Sequence, residues 1–179
     1  MKHLFIACLV TLGLTACSSE EPKDPPKDEQ ADCSRGQLEA DLTFNGPLAG
    51  PAVRADGTLA PGRYTVSSTY LRLKPDAEGQ ARFQELVMPV GQALRSQPGL
   101  MALQFASSVY CNTARTFSVW KDDASMYEFV SGPAHLDAMS AVSEVSRGGS
   151  IVTHWADDEK GASWQKAAQQ LSADEGPFY

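Results

Sequence analysis

Apolar and polar side chains change their spacing along this 179-residue chain, and the changes mark its elements. From Arg63 to Leu73 the run RYTVSSTYLRL is dense in β-branched and aromatic residues, and it stops at Lys74-Pro75, where proline disfavours further pairing. It predicts a first main strand. After Pro75, the residues Phe83, Leu86, Val87, Val90 and Leu94 recur at helical spacing, with Pro89 and Gly91 predicting a kink near Glu85 to Pro89. Pro98-Gly99 ends that helix. Met101, Leu103, Phe105 and Val109 then alternate against Ala102, Gln104, Ala106 and Ser108. Cys111-Asn112 is the predicted turn, and Arg115 to Lys121 alternates again, Phe117 and Val119 against Thr116, Ser118 and Trp120. Two such runs predict an antiparallel hairpin.

Asp122 or Asp123 can cap a following helix whose stripe is Met126, Phe129 and Val130. Gly132-Pro133 breaks it, and a restart from Ala134 to Val145 places Leu136, Met139 and Val142 inward. Gly148-Gly149 leads to a last strand, Ser150 to Ala156, with Ile151, Thr153 and Trp155 opposite Val152 and His154. Within 158–179, Trp164, Ala167, Ala168 and Leu171 describe a terminal amphipathic helix. Ahead of the first strand, 37–62 carries Asn45-Gly46, Asp56-Gly57 and Pro61-Gly62, which predict one or two small hairpins. The order strand, helix, strand, strand, helix, strand over 63–157 is the ferredoxin-like split βαβ arrangement, an α+β fold with an antiparallel sheet and helices on one face. To the other face this pattern assigns Ala102, Gln104, Ser118 and Trp120, too mixed for a simple core and too aromatic for water. A second copy of the same sheet is the expected cover.

The N-terminal stretch has a different character. Lys2 precedes the apolar run Leu4 to Val10, which is too short to span a bilayer and fits a signal segment over 1–16. Leu14-Thr15-Ala16-Cys17 resembles the lipobox of bacterial lipoproteins, which implies diacylglycerol on Cys17 and cleavage before it. That resemblance implies a lipid-anchored protein of the cell envelope, and Ser18 is compatible with the outer membrane, facing the periplasm. The alternative is an ordinary secretory signal that leaves Cys17 a plain thiol. The stretch 17–36 reads as a tether: Ser18 to Asp32 (SSEEPKDPPKDEQAD) has one apolar side chain, Ala31, and too little to bury. Its prolines and charges favour an extended chain of roughly 45 Å reach.

The formal charge of −7 falls to −8 once Lys2 leaves with the signal, which excludes nucleic acid as an expected partner. Four cysteines reduce to two, Cys33 and Cys111, which either pair outside the cytoplasm or stand as unrelated thiols.

A more specific resemblance lies in Phe117-Ser118-Val119-Trp120-Lys121-Asp122, then Ser125-Met126, Phe129-Val130, Ala134-His135 and Ala138-Met139. On these residues the chain, from about Arg63 to Asp157, resembles the dimeric α+β barrel superfamily, and most its antibiotic-biosynthesis-monooxygenase (ABM-like) branch. The resemblance implies a homodimer and a pocket between sheet and helices for a small aromatic ligand. It makes Trp120 a candidate pocket wall and His135 a candidate acid, base or axial ligand; Tyr70, Tyr127 and Phe129 are further aromatic candidates for that pocket, and aromatics on a sheet serve equally as core or interface. Haem-degrading relatives use an asparagine on the first strand, where this chain has Ser67, Ser68 and Thr69, so haem chemistry is not carried over.

Read bottom-up, His135 beside Pro133 can equally cap the helix break. His154 approaches it only if the two share a sheet face. The two histidines left after the signal, with cysteines expected to be otherwise engaged, are too few for a metal site, and no cofactor is expected. Asp157-Asp158-Glu159 is explained by capping and solvation. Two functions stand: a non-catalytic small-molecule-binding or assembly module of a lipoprotein, or a cofactor-independent monooxygenase-like enzyme acting on a small aromatic or quinone-like substrate.

Overall fold

The computed structural model describes residues 33–179. Cys17 and the signal therefore lie outside the described residues. In chain order the elements are β1 (Thr43–Phe44), β2 (Arg63–Arg72), α1 (Ala77–Ser96), β3 (Leu100–Ser108), β4 (Thr113–Trp120), α2 (Asp123–Val130), α3 (Pro133–Ser140), α4 (Val142–Val145), β5 (Ile151–Asp158) and α5 (Trp164–Ala173).

The sheet has the order β1-β3-β4-β2-β5, all pairs antiparallel. Without the short edge strand β1 this is the ferredoxin-like βαββαβ order, in which β2 sits between β4 and β5. Asp76 caps α1 by accepting from Gly79 N at 2.8 Å, and Asp122 caps α2 by accepting from Ser125 N at 2.8 Å. Asn112, at φ 47°, makes the tight β3–β4 turn in the left-handed region that asparagine tolerates. Helix α1 runs as one element through Pro89. Pro89 is exposed, so water can take the Glu85 carbonyl that proline leaves without an intrahelical donor.

The segment 37–62 contains one of the small hairpins expected, around Asp56-Gly57, with the Val53–Leu59 bridge flanked by Arg54 N to Thr58 O and Ala60 N to Ala52 O, both 2.8 Å; the stretch before it is laid along the outer edge of β3 by β1 and an Ala49–Leu103 bridge. Several expectations are corrected. The tether does not extend to residue 36, because Ser34 O, Arg35 O and Gln37 O accept from the Arg115 guanidinium and fasten this stretch to the sheet. Leu136 points outward, 54% exposed, since α3 is short and turns His135, Ala138 and Met139 to the interior instead.

The largest correction concerns the sheet faces. Register pairs Leu103 with Ser118 and Phe105 with Thr116, so Ser118 and Trp120 share a face with Leu103, not with Ala102. On that face Trp120 packs with Leu94, Leu100, Leu103, Met126 and Phe129, beneath α1 and α2. The opposite face presents Val66, Ala102, Phe117, Val119 and Trp155, and it is covered by the chain itself: Ala52 and Leu59 from the N-terminal segment and Ala167 from α5. Helices therefore lie on both faces. The premise that a twin must close a bare sheet does not hold, because the flanking segments already bury it. Gln104 explains the mixed polarity there, since it accepts from Trp164 Nε1 at 2.7 Å and donates to Gly46 O at 2.9 Å, tying both covers to the strand.

Cys33 and Cys111 form a disulfide with Cα atoms 5.4 Å apart across 78 positions of sequence. It resolves the alternative that the sequence left open.

Candidate functional site

A cavity of about 600 Å³ separates the helices from the sheet. Its floor comes from the helix-facing positions of the strands: Ser67 and Thr69 on β2, Phe105 on β3, Thr116 and Ser118 on β4. Its roof is the apolar stripe of α1, Phe83, Val87, Val90 and Leu94, and one end is closed by Met126 and Phe129 of α2 with His135 and Met139 of α3. The stripe of α1 recurs at helical spacing as an ordinary core face does, yet Phe83, Leu86, Val87 and Val90 are only half-buried. Interiors normally pack without space for even one extra methylene, so a void this large beneath an apolar stripe has the dimensions of a ligand pocket.

The floor carries the polar groups. Trp120 Nε1 donates to Ser118 Oγ at 3.0 Å, and the indole stacks on Phe129 with centroids 5.6 Å apart, which holds Trp120 in one orientation. Thr116 Oγ1 donates to Thr69 Oγ1 at 2.8 Å, which leaves the Thr69 proton for a guest. Ser67 Oγ has no hydrogen-bond partner among the described residues, and its main-chain oxygen is the group that Ser118 reaches. Two hydroxyls are thus available on an otherwise greasy surface.

His135 lines the same cavity. Its Nδ1 lies 3.0 Å from Val130 O, and its ring meets the Phe129 edge at 5.2 Å. Burial pushes the imidazole below its ordinary value of 6.5, against a smaller opposite effect of the Val130 carbonyl. The neutral tautomer with its proton on Nδ1 satisfies that carbonyl, which leaves Nε2 as a lone-pair acceptor.

Other candidates lie elsewhere. Tyr70 is buried on the opposite face, where its hydroxyl donates to Cys33 O at 2.6 Å and its ring lies 4.4 Å below the Arg115 guanidinium. Register explains this: successive strand residues alternate, so Tyr70 cannot share the floor with Thr69. Tyr127 is 52% exposed on α2 and reaches His154 Nε2 at 3.3 Å, outside the cavity. His154 is thereby engaged at the surface and not with His135. Trp120, Phe129 and His135 are brought together, while Tyr70 and Tyr127 are not.

The hydroxyl floor escaped sequence reasoning. The sole signal was the unusual polarity of Ser67 and Thr69 within a strand of aromatic and β-branched residues, and their partners on β4 are about 50 residues away, fixed only by register.

The fold is ferredoxin-like α+β. No family model matches the chain, and no curated protein sequence matches it. Among solved structures it is similar to a provisionally named monooxygenase of Fusobacterium nucleatum, 14% identical over 66% of this chain and 50% of that one, with a TM-score of 0.49. It is also similar to Rv0793 of Mycobacterium tuberculosis, 17% identical over 54% of this chain and 95% of that one, TM-score 0.46. An antibiotic biosynthesis monooxygenase gives 12% identity over 51% of this chain and 95% of that one, TM-score 0.46. The chain spans about half the length of the Fusobacterium protein. These likenesses concern the fold alone, while the polar floor and His135 are features of this chain's own residues.

Proposed function

We propose that this protein is a lipid-anchored binding module of the cell envelope, outer-membrane and periplasm-facing, whose cavity holds a small, mainly apolar molecule without transforming it. The observation that carries the binding reading is the 600 Å³ space under a helix stripe that would otherwise be core. The non-catalytic part rests on the sparse chemistry of the lining. Ser67 makes no hydrogen bond to an imidazole among the described residues, so it lacks the base a nucleophilic hydroxyl needs.

Binding is tested with the neutral fluorophore phenylnaphthylamine and the chain from Ser18 onward, which carries neither the signal segment nor the acyl anchor and so needs no detergent. Saturable enhancement is expected, and Ala138→Phe, which fills the space beside α3, should abolish it. Equal enhancement by both proteins would place the dye elsewhere and remove the reading. The anchor is tested separately by metabolic labelling with an alkynyl fatty acid, which should mark the intact protein and not Cys17→Ser.

One observation favours a second reading, a cofactor-independent oxygenase acting on a small aromatic or quinone-like substrate: His135 is neutral, lines the cavity, and keeps Nε2 free to take a proton. Oxygen consumption with an anthrone-type substrate, compared between the wild type and His135→Ala, tests it. No consumption above the protein-free rate would exclude it.

A further inference from the structure

We infer that the ligand of this cavity is an amphiphile with a single anionic head, of the monocarboxylate class, and that Arg95 receives that head. The inference rests on the binding reading above and adds the chemistry of one end of the guest.

The cavity lining contains no aspartate or glutamate, although acids outnumber bases across the chain, 22 to 15. It does contain Arg95, in the last turn of α1. The other arginine in the lining, Arg115, spends its guanidinium on the opposite face, on Glu39 and three main-chain oxygens. Arg95 is differently placed. Its guanidinium lies 5.9 Å from the centroid of Phe105, a floor residue, and Nη1 donates to Gly91 O at 3.2 Å. Among the described residues no carboxylate lies within ion-pair distance of it; the pairs that do form involve Arg54, Arg82 and Arg115.

An exposed cation lining an apolar space, held over an aromatic ring and without a counter-charge among the described residues, leaves most of its planar donor fork unused. That fork matches a carboxylate in two parallel N–H···O bonds. A guest with its carboxylate on Arg95 and its apolar body under α1 would meet the Ser67 and Thr69 hydroxyls only with its far part, which tolerates one polar substituent there. The cation also suits the negative end of the α1 dipole, but that needs only exposure at the last turn and not a position over the cavity floor.

The test displaces phenylnaphthylamine from the chain beginning at Ser18 with dodecanoate and with dodecanol, and repeats both with Arg95→Gln. Dodecanoate is expected to bind the wild type at least tenfold more tightly than dodecanol, about 1.4 kcal/mol of discrimination. In Arg95→Gln the two should fall within about twofold of each other. Arg95 is exposed, and an unchanged urea midpoint checks that the variant keeps the fold. Equal displacement by acid and alcohol in the wild type would overturn the inference, as would a preference that survives Arg95→Gln. A dye that fails to bind the wild type, or that binds Ala138→Phe equally well, would instead overturn the binding reading. Dodecyl sulfate and dodecyl phosphate, run in parallel below their micellar concentrations, distinguish other anionic heads. Tighter binding of either than of dodecanoate would refute the carboxylate assignment.

Discussion

Arg115 Nε donates to Glu39 Oε2 at 2.8 Å, with both side chains wholly shut from solvent. Thr113 Oγ1 donates to the other carboxylate oxygen at 2.6 Å, and Arg115 Nη2 donates to Gln37 O at 2.7 Å, so each charge is surrounded by partners. The pair nails the N-terminal segment across the face of β4. Removing one member leaves the other charged, buried and alone, which costs far more than the pair itself contributes. Glu39→Ala should therefore lower unfolding free energy by about 3–5 kcal/mol in urea titrations. Glu39→Leu combined with Arg115→Met should lose much less than the two single changes together. Simple additivity of the two would show that the groups do not act as a unit.

The same segment is held covalently. In the chain-entropy picture, closing a loop between Cys33 and Cys111, 78 positions apart, restricts the unfolded chain by about 4.5 kcal/mol. A thiol reductant should shift the urea midpoint of the wild type strongly downward and leave a Cys33→Ser, Cys111→Ser double variant where it already is. A reductant-insensitive wild type would mean that the bond does not form in solution.

His135 makes stability depend on pH in a defined window. Because burial lowers its pKa in the folded state, the unfolded chain binds the proton first, and stability rises with pH there. The contribution is complete above the ordinary imidazole value of 6.5 and declines as pH falls below it. Carboxylates such as Asp41, lowered chiefly by the Ser108 hydroxyl, and Asp76, lowered chiefly by the Gly79 N–H, act only near and below 3.8. The two windows do not overlap. Comparing urea midpoints at pH 7 and pH 5.5, His135→Gln should show a smaller difference than the wild type, and proton NMR should place the His135 midpoint below 6.5. An unchanged pH difference in the variant would contradict the burial of the ring.

Assembly follows from the covered sheet face. With Ala167 of α5 packed against Phe117, Val119 and Trp155, no large apolar sheet surface is left on that side for a twin. Scattering from the chain beginning at Ser18 should give the mass of one copy, and Ala167→Asp should expose the face and promote association. A dimer in the unmodified chain would require a contact elsewhere on the surface.

Local pattern alone determined most of the architecture. Strand and helix identities, the Asp122 cap, the Asn112 turn and the βαββαβ order were legible because they depend on residues a few positions apart, where periodicity and turn chemistry act. The site was legible only in part: Trp120, Phe129 and His135 could be singled out by residue type, and the structure brings them to one cavity. Register decided the rest. A shift of one residue in the β3–β4 pairing moves every side chain to the other face, and the bulge between Leu100 and Ala102 is such a shift, invisible to alternation counted along one strand. Long-range closure decided what covers the sheet, because Glu39 meets Arg115 across 76 positions and Gln104 meets Trp164 across 60, with no local signal for either. The cavity itself belongs to tertiary structure, since an apolar helix stripe looks the same in sequence whether the space beneath it is filled or open.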